Sequence, residues 1–441
     1  MSAHCHLAAC LPDADTATVW TGPVARPPIA FSSFDHLART AERGLFDFLL
    51  LAEGPRPRAH RGRIHDRDAA GRPEPLTVLH ALAAVTEHLG LAATADAAFH
   101  EPFELARKLA TLDHLSEGRA AWYVVTSAGA GTGENFRRGD YLDRADRYPR
   151  AAEFVATARR LWDSWTPGGA ARPFAHQGRH FDIAGEFTAP RPPQGHPVVI
   201  QAGGSAQARE CAAATADVVL APHGTPEAGR ALYADIKGRL AKYGRTAADL
   251  RIMPGVTVVL GDTAAEAQER AATIRRQLVT PQRAVLTLER LWGVDLSAYD
   301  PDGPLPDFDP VADPRLTRDR ARHGEAVATA GKLRALSREK GLSLRQTVIE
   351  TSARQSFIGT PDAVAAELAR SVREEAADGF VLLPQLMPDG LDEFVDRVVP
   401  LLQERGVFRT AYEGRTLRSH LGLPGPARDG LTTRSPRSPR T

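Results

Sequence analysis

Residues 118–136 read GRAAWYVVTSAGAGTGENF. A run rich in aromatic and β-branched residues, 119–125, passes through the hydroxyl pair Thr126-Ser127 into a loop of glycine and alanine. Such side chains suit a pleated, buried strand, and the small residues behind them end it. In a parallel α/β protein, ligands collect at the carboxyl ends of the strands. Two hydroxyls and open backbone amides at that place suit a polar ligand. Taken locally, the same residues also fit an ordinary strand running into a glycine loop.

The pattern repeats along the chain. Apolar runs bounded by turn residues predict strands over 7–11, 46–52, 90–95, 119–127, 197–202, 217–221, 252–260 and 379–384. Amphipathic helical periodicity fills the gaps at 34–43, 76–88, 102–115, 151–164, 206–214, 226–243, 264–278 and 361–375, with a last helix at 391–405. Thr360 as N-cap, Pro361 at the first helical position and Asp362 in the first turn mark one helix start clearly. Strands alternating with helices imply a parallel sheet, and eight of them can close a (β/α)8 TIM barrel, class α/β. The expected organisation is one barrel domain over 1–423 with insertions at 166–196 and 280–356. The first insertion is rich in Pro and Gly and reads as a loop with short strands. The second is far longer than a normal connection, and its segment DPDGPLPDFDPVADP should be extended. Long loops inside barrels usually cover the active face. The Ser-, Pro- and Arg-rich tail, 424–441, is expected to be disordered.

Of the 441 residues, 43% are hydrophobic and 25% charged, ordinary for a globular protein with a sizeable core. A net charge of +1 points to neither a nucleic-acid nor an anionic-membrane partner. Three scattered cysteines, Cys5, Cys10 and Cys211, make no disulfide framework and favour a reducing compartment. The amino terminus lacks a basic flank and a long apolar run, so no signal peptide or membrane span is expected and the cytoplasm is the predicted location.

Several chemical signatures are missing. Gly129, Gly131 and Gly133 form G-x-G-x-G instead of a dinucleotide fingerprint, and Gly331-Lys332-Leu333 lacks the Walker hydroxyl. No H-E-x-x-H and no G-x-S-x-G occurs. His4 and His6 form an H-x-H pair, but so near the terminus that fraying is expected and no metal is assigned. Other constellations lie at predicted strand ends. In PVVIQAGGSAQARECA, residues 197–212, a strand ends at Gln201, the turn Ala202-Gly203-Gly204 follows, and Ser205 can cap a helix. That arrangement is either an anion cradle or a plain capped turn. Tyr148 sits just before a predicted helix with Arg144 and Arg147 nearby, which suits a phosphate or a solvated, basic helix entry. Glu53 ends the second strand, and Thr94 and Asp96 end the third.

These blocks resemble the bacterial luciferase-like flavin monooxygenases, in the branch of the nitrilotriacetate, dibenzothiophene-sulfone and long-chain alkane monooxygenases. The resemblance runs in order through EPLTVLHALAAVTEHLGLAATA, EPFELARKLATLDHLSEGRAAWYVVTS, RYPRAAEFVATARRLWDSW, FDIAGEFTAPRPPQGHPVVIQAGGS, FIGTPDAVAAEL and FRTAYEGRTLRSHLGL. It implies a (β/α)8 barrel whose mouth binds reduced FMN. The flavin reacts there with O2, and the resulting flavin hydroperoxide oxygenates a small organic substrate. It also implies a separate NAD(P)H-dependent reductase supplying the flavin by diffusion, and a homodimer or higher homo-oligomer. By resemblance, Thr126, Ser127 and Ala128 would line the flavin, with Glu53, Thr94 and Asp96 at neighbouring strand ends. Tyr148 and Arg144 would reach the phosphate region, and Ala202, Gly203, Gly204 and Ser205 would cradle the phosphate.

Four positions depart from the family pattern. Glu53 replaces an Asp, Tyr123 an Asn, and Arg144 and Arg354 each a His. A guanidinium in place of an imidazole holds anions but does not shuttle protons near neutral pH, so the substrate is expected to carry negative charge. Cys10, Tyr123 and Arg354 are candidates for the substrate pocket; no catalytic residue is singled out. A deazaflavin-dependent oxidoreductase and a catalytically divergent flavin-binding protein are the alternatives. A metal-dependent hydrolase would need several ligands at strand ends, where only His223 is found.

Overall fold

Strands that are apolar on both faces need cover on both, and a closed barrel wrapped in helices supplies it. A computed structural model describes residues 4–11, 18–20, 30–52, 73–126, 144–166, 168–311, 320–352 and 355–426. Eight of the described strands form the barrel: β1 (His6–Leu11), β2 (Phe48–Leu51), β3 (Gly90–Asp96), β4 (Ala120–Val125), β5 (Val198–Ala202), β6 (Val218–Ala221), β7 (Arg251–Val256) and β8 (Gly379–Leu382). Each lies parallel beside its neighbours in sequence, and β1 pairs with both β2 and β8 to close the ring. The predicted fold class and all eight barrel strands are therefore present.

Alternate residues face the two sides. Ala8, Cys10, Phe48, Leu50, Ala92, Ala121, Val198, Ile200, Val218, Met253 and Val381 pack together inside the barrel. Leu49, Leu51, Leu91, Trp122, Val199, Phe380 and Leu382 face the helices instead. The crossover helices include α1 (Phe31–Arg43), α2 (Pro75–Ala83), α3 (Pro102–Leu115), α4 (Arg144–Asp163), α5 (Ala206–Thr215), α6 (Pro226–Arg239) and α7 (Ala264–Leu278). No helix among the described residues is long and apolar enough to cross a membrane.

The carboxyl-terminal block closes the opposite end of the barrel from the mouth. Leu417, Leu421 and Leu423 join the interior cluster. Arg418 pairs with Asp217 just before β6, Arg409 with Asp47 just before β2, and Arg251, first residue of β7, donates to the carbonyls of Leu421 and Gly422. All these anchors stand at strand amino ends.

Four expectations change. His6 is not frayed: it is the first residue of β1, 5% exposed, with Nδ1 3.2 Å from Asp47 Oδ1. Its partner lies 41 residues away, so nothing local announces the anchor. The strand predicted over 252–260 leaves the barrel after Val256. At Thr257 it turns to pair Val258–Leu260 with Phe357–Gly359, fastened by Thr257 Oγ1, which accepts from the Ser356 amide at 2.9 Å. Tyr148 lies on α4, not ahead of it. Pro149 is the sixth residue of that helix and forfeits one backbone i→i−4 bond there. The 280–356 insertion is largely helical, with α8 (Pro281–Trp292), α9 (Arg320–Lys340) and α10 (Leu344–Ser352) around a core of Leu288, Trp292, Ala330, Leu344 and Val348. Thr280-Pro281 carries the same cap signal as Thr360-Pro361 and announced α8. Within this insertion, residues 300–311 form no helix or strand, and the 166–196 insertion carries a short hairpin, Pro173–Gln177 with Asp182–Glu186.

Candidate active site

At the carboxyl ends of the strands the inward positions carry small or polar side chains. Cys10 is 5% exposed inside the barrel, its thiol 3.5 Å from the carbonyl of Leu11. Thr94 and Tyr123 are register partners on β3 and β4, so the phenol ring stands beside the threonine on the inner wall. Thr94 Oγ1 donates to the Leu51 carbonyl at 2.7 Å and stitches β3 to β2 at the rim. Asp96 is 2% exposed, and one of its oxygens accepts the Ala98 amide at 2.7 Å, shaping the turn that leaves β3. Thr126, half-buried, is the first residue past β4.

The next rim segment follows β5. Gly203 donates its amide to the Leu220 carbonyl at 3.1 Å, and its backbone passes so close to β6 that a Cβ would lie 2.5 Å from Val219 Cγ1. Ala202, Gly204 and Ser205 are exposed to solvent. Ser205 caps α5, its hydroxyl accepting from the Ala208 amide at 3.1 Å. A helix start carries amides that the helix itself does not satisfy, together with a partial positive charge.

Helix α4 brings Tyr148 to this spot. Its hydroxyl lies 3.5 Å from Ser205 Oγ across 57 residues of sequence. Two hydroxyls, a capped helix start and an open glycine form a donor set that fits a phosphate. His223 follows β6 on the same face, its ring 5.1 Å from that of Phe357. Burial there holds its pKa below the usual value, against the pull of Glu367.

Of the residues expected from the sequence, the structure brings together Tyr148, Ser205 and the Ala202–Gly204 turn. It places Cys10, Thr94 and Tyr123 on the inner wall. Glu53, Ser127, Ala128 and Arg354 lie outside the described residues, as does the side chain of Arg144. Glu153 and Arg150, described below, received no role from the sequence; their signal was the block RYPRAAEF, in which they flank two alanines.

The barrel agrees with comparisons to known proteins. The chain belongs to the luciferase-like monooxygenase family, whose model matches residues 11–379, and is a two-component, flavin-dependent monooxygenase. It is 41% identical to nitrilotriacetate monooxygenase component A of Aminobacter aminovorans, covering 92% of this chain and 93% of that protein. Identity to N-acetyl-S-(2-succino)cysteine monooxygenase of Bacillus subtilis (strain 168) is 39%, covering 89% of this chain and 90% of the other. The solved structure of EDTA monooxygenase from Chelativorans sp. BNC1 superposes with a TM-score of 0.73 at 30% identity, covering 96% of this chain and 99% of that one.

Proposed function

We propose that this chain takes reduced FMN from a separate, diffusing reductase and uses O2 to oxygenate a small substrate bearing several carboxylates. The observation that carries the flavin reading is the approach of Tyr148 Oη to Ser205 Oγ, 3.5 Å apart at the start of α5. Tyr148, Ser205 and the first-turn amides of α5 would hold the phosphate, which selects FMN over flavins that lack one. Bound reduced FMN supplies the electrons that activate O2. The chain's part is to orient that ring at the mouth and exclude water, with Cys10, Thr94 and Tyr123 as the inner wall.

The substrate class follows from two lines. Nitrilotriacetate, EDTA and N-acetyl-S-(2-succino)cysteine, named for the relatives above, all carry several carboxylates. By the family resemblance Arg354 replaces a pocket histidine, and a guanidinium there would pair with such groups. The absence of a dinucleotide fingerprint supports a separate reductase. Few, scattered cysteines support the cytoplasm.

Anaerobic protein mixed with reduced FMN and then with O2 should show a transient absorbing species that outlives oxidation of free flavin. Aminopolycarboxylates and carboxylated thioethers should couple O2 use to product. Flavin oxidation at the free-solution rate would overturn the flavin reading. Coupling only with uncharged sulfides or alkanes would overturn the substrate class alone.

A further inference from the structure

The hairpin of the first insertion is mostly exposed along both strands, yet its tip is bound around one carboxylate of α4. Glu153 accepts the amides of His180, at 3.2 and 3.1 Å, and of Phe181 at 3.1 Å. It also meets His176 Nε2 at 3.1 Å. The other ring nitrogen, Nδ1, faces Arg160 Nη1 at 3.0 Å. A guanidinium only donates, so Nδ1 accepts and Nε2 carries the proton given to Glu153. Burial would raise the Glu153 pKa, but His176 and the two amides outweigh it and hold the carboxyl below its ordinary value. The tip closes on the carboxylate at Gly178, where a Cβ would lie 2.1 Å from Glu153 Oε1. Arg179 adds a 2.5 Å contact to Asp146, nearer the start of the same helix.

The grip continues inward. Phe181, just past the tip, lies 4.3 Å beneath the guanidinium of Arg150, which is 2% exposed. Arg150 Nε donates at 3.0 Å to the carbonyl of Ala97, directly after Asp96 at the end of β3. The Phe181 ring also meets Phe154 edge-on at 5.4 Å, and Phe154 packs 5.1 Å from Trp122 on β4. Hairpin tip, α4 and the ends of β3 and β4 are thus one packed unit, and Tyr148 stands on α4 between Asp146 and Arg150.

We infer that Glu153 is a positioning residue for the flavin phosphate: it locks the hairpin tip onto α4 and so sets Tyr148 opposite Ser205. This rests on the phosphate reading given above. The hairpin then acts as a strut that fixes the rim without touching the ligand. Losing the strut weakens capture of the phosphate and leaves the chemistry of the captured flavin alone.

The test compares anaerobic dissociation constants of reduced FMN and reduced riboflavin, which lacks the phosphate, in the wild type, Glu153→Ala, Glu153→Asp and Gly178→Ala. Loss of a charge-assisted hydrogen-bond cluster should weaken FMN by about tenfold in Glu153→Ala. Riboflavin binding and the turnover rate at saturating FMN should stay unchanged. Glu153→Asp should recover part of the loss. Gly178→Ala, which pushes the tip away while leaving α4 intact, should reproduce it and keeps the test open if Glu153→Ala does not fold. Equal weakening of both flavins, a lower saturated rate, or unchanged FMN binding in Gly178→Ala would each overturn the inference. A wild type that binds the two flavins equally would instead overturn the phosphate reading beneath it.

Discussion

Arg418 and Asp217, 201 residues apart, form a buried ion pair at the foot of β6, with Nη2 3.1 Å from Oδ2 and Nη1 3.3 Å from Oδ1. Asp217 also takes the Val199 amide at 2.8 Å, so one carboxylate ties the carboxyl-terminal block to β5 and β6. Burial alone would raise the Asp217 pKa, but the charges of Arg418 and Arg159 lower it to about 2. Removing the guanidinium leaves the buried anion with only Arg159, 3.7 Å away, and the Val199 amide to compensate it, a loss of up to about 3 kcal/mol. Arg418→Ala should show this as a lowered urea midpoint at pH 7. It should also unfold at higher pH, because stability from a depressed carboxyl pKa is present above about 3.8 and lost as pH falls through the folded value.

His420 adds a second acid liability in the same block, in a milder pH window. It is 4% exposed, facing Arg409, Asp47, His88, Tyr412 and the Gly414 carbonyl. Burial first, then Arg409, lowers its pKa from 6.5 to about 4. Below pH 6.5 the unfolded chain takes up a proton that the folded one refuses, so stability declines by up to about 1.4 kcal/mol per pH unit until the folded pKa is reached. His420→Gln should flatten the fall in Tm between pH 6.5 and 4; an unchanged slope would refute the assignment.

Arg119 is buried, and among the described residues no carboxylate is in contact with it. Its guanidinium donates to the carbonyls of Ser116, Leu89, Ala83 and Thr86 and to the Thr86 hydroxyl, and so ties the end of α2 to the start of β4. Arg119→Met would strand these acceptors and should cost about 3 kcal/mol or more. Arg119→Lys, with three donors for five contacts, should recover part of it in equilibrium unfolding.

At the rim, Tyr148→Phe removes one of the two hydroxyls 3.5 Å apart. Reduced FMN should bind about tenfold more weakly, with riboflavin unaffected. Ser205→Ala should show the same selectivity, with a further stability loss of about 1 kcal/mol because the serine also caps α5. Fluorescence titration and thermal unfolding separate the two effects.

The eight barrel strands were legible because a strand buried on both faces reads as an unbroken apolar run between turn residues, as in AAWYVV and VVIQA. Helix starts were legible where a capping threonine precedes proline, and the signal at Thr280-Pro281 was there to be read. Both are local properties, carried by neighbouring residues. The family blocks pointed to Tyr148 and Ser205 separately, but only the closed barrel, with β5 beside β4, sets their hydroxyls 3.5 Å apart. The anchors of His6 on Asp47 and Arg418 on Asp217, like the hairpin's closure around Glu153, join residues 41, 201 and 23 to 28 positions apart. Pairing of charges at such separations leaves no periodicity in a sequence. Chain composition and local pattern therefore determined which elements form and in what order. The tertiary structure alone decided which polar groups meet, because desolvation makes an unpaired buried charge costly and selects partners by space, not by sequence position.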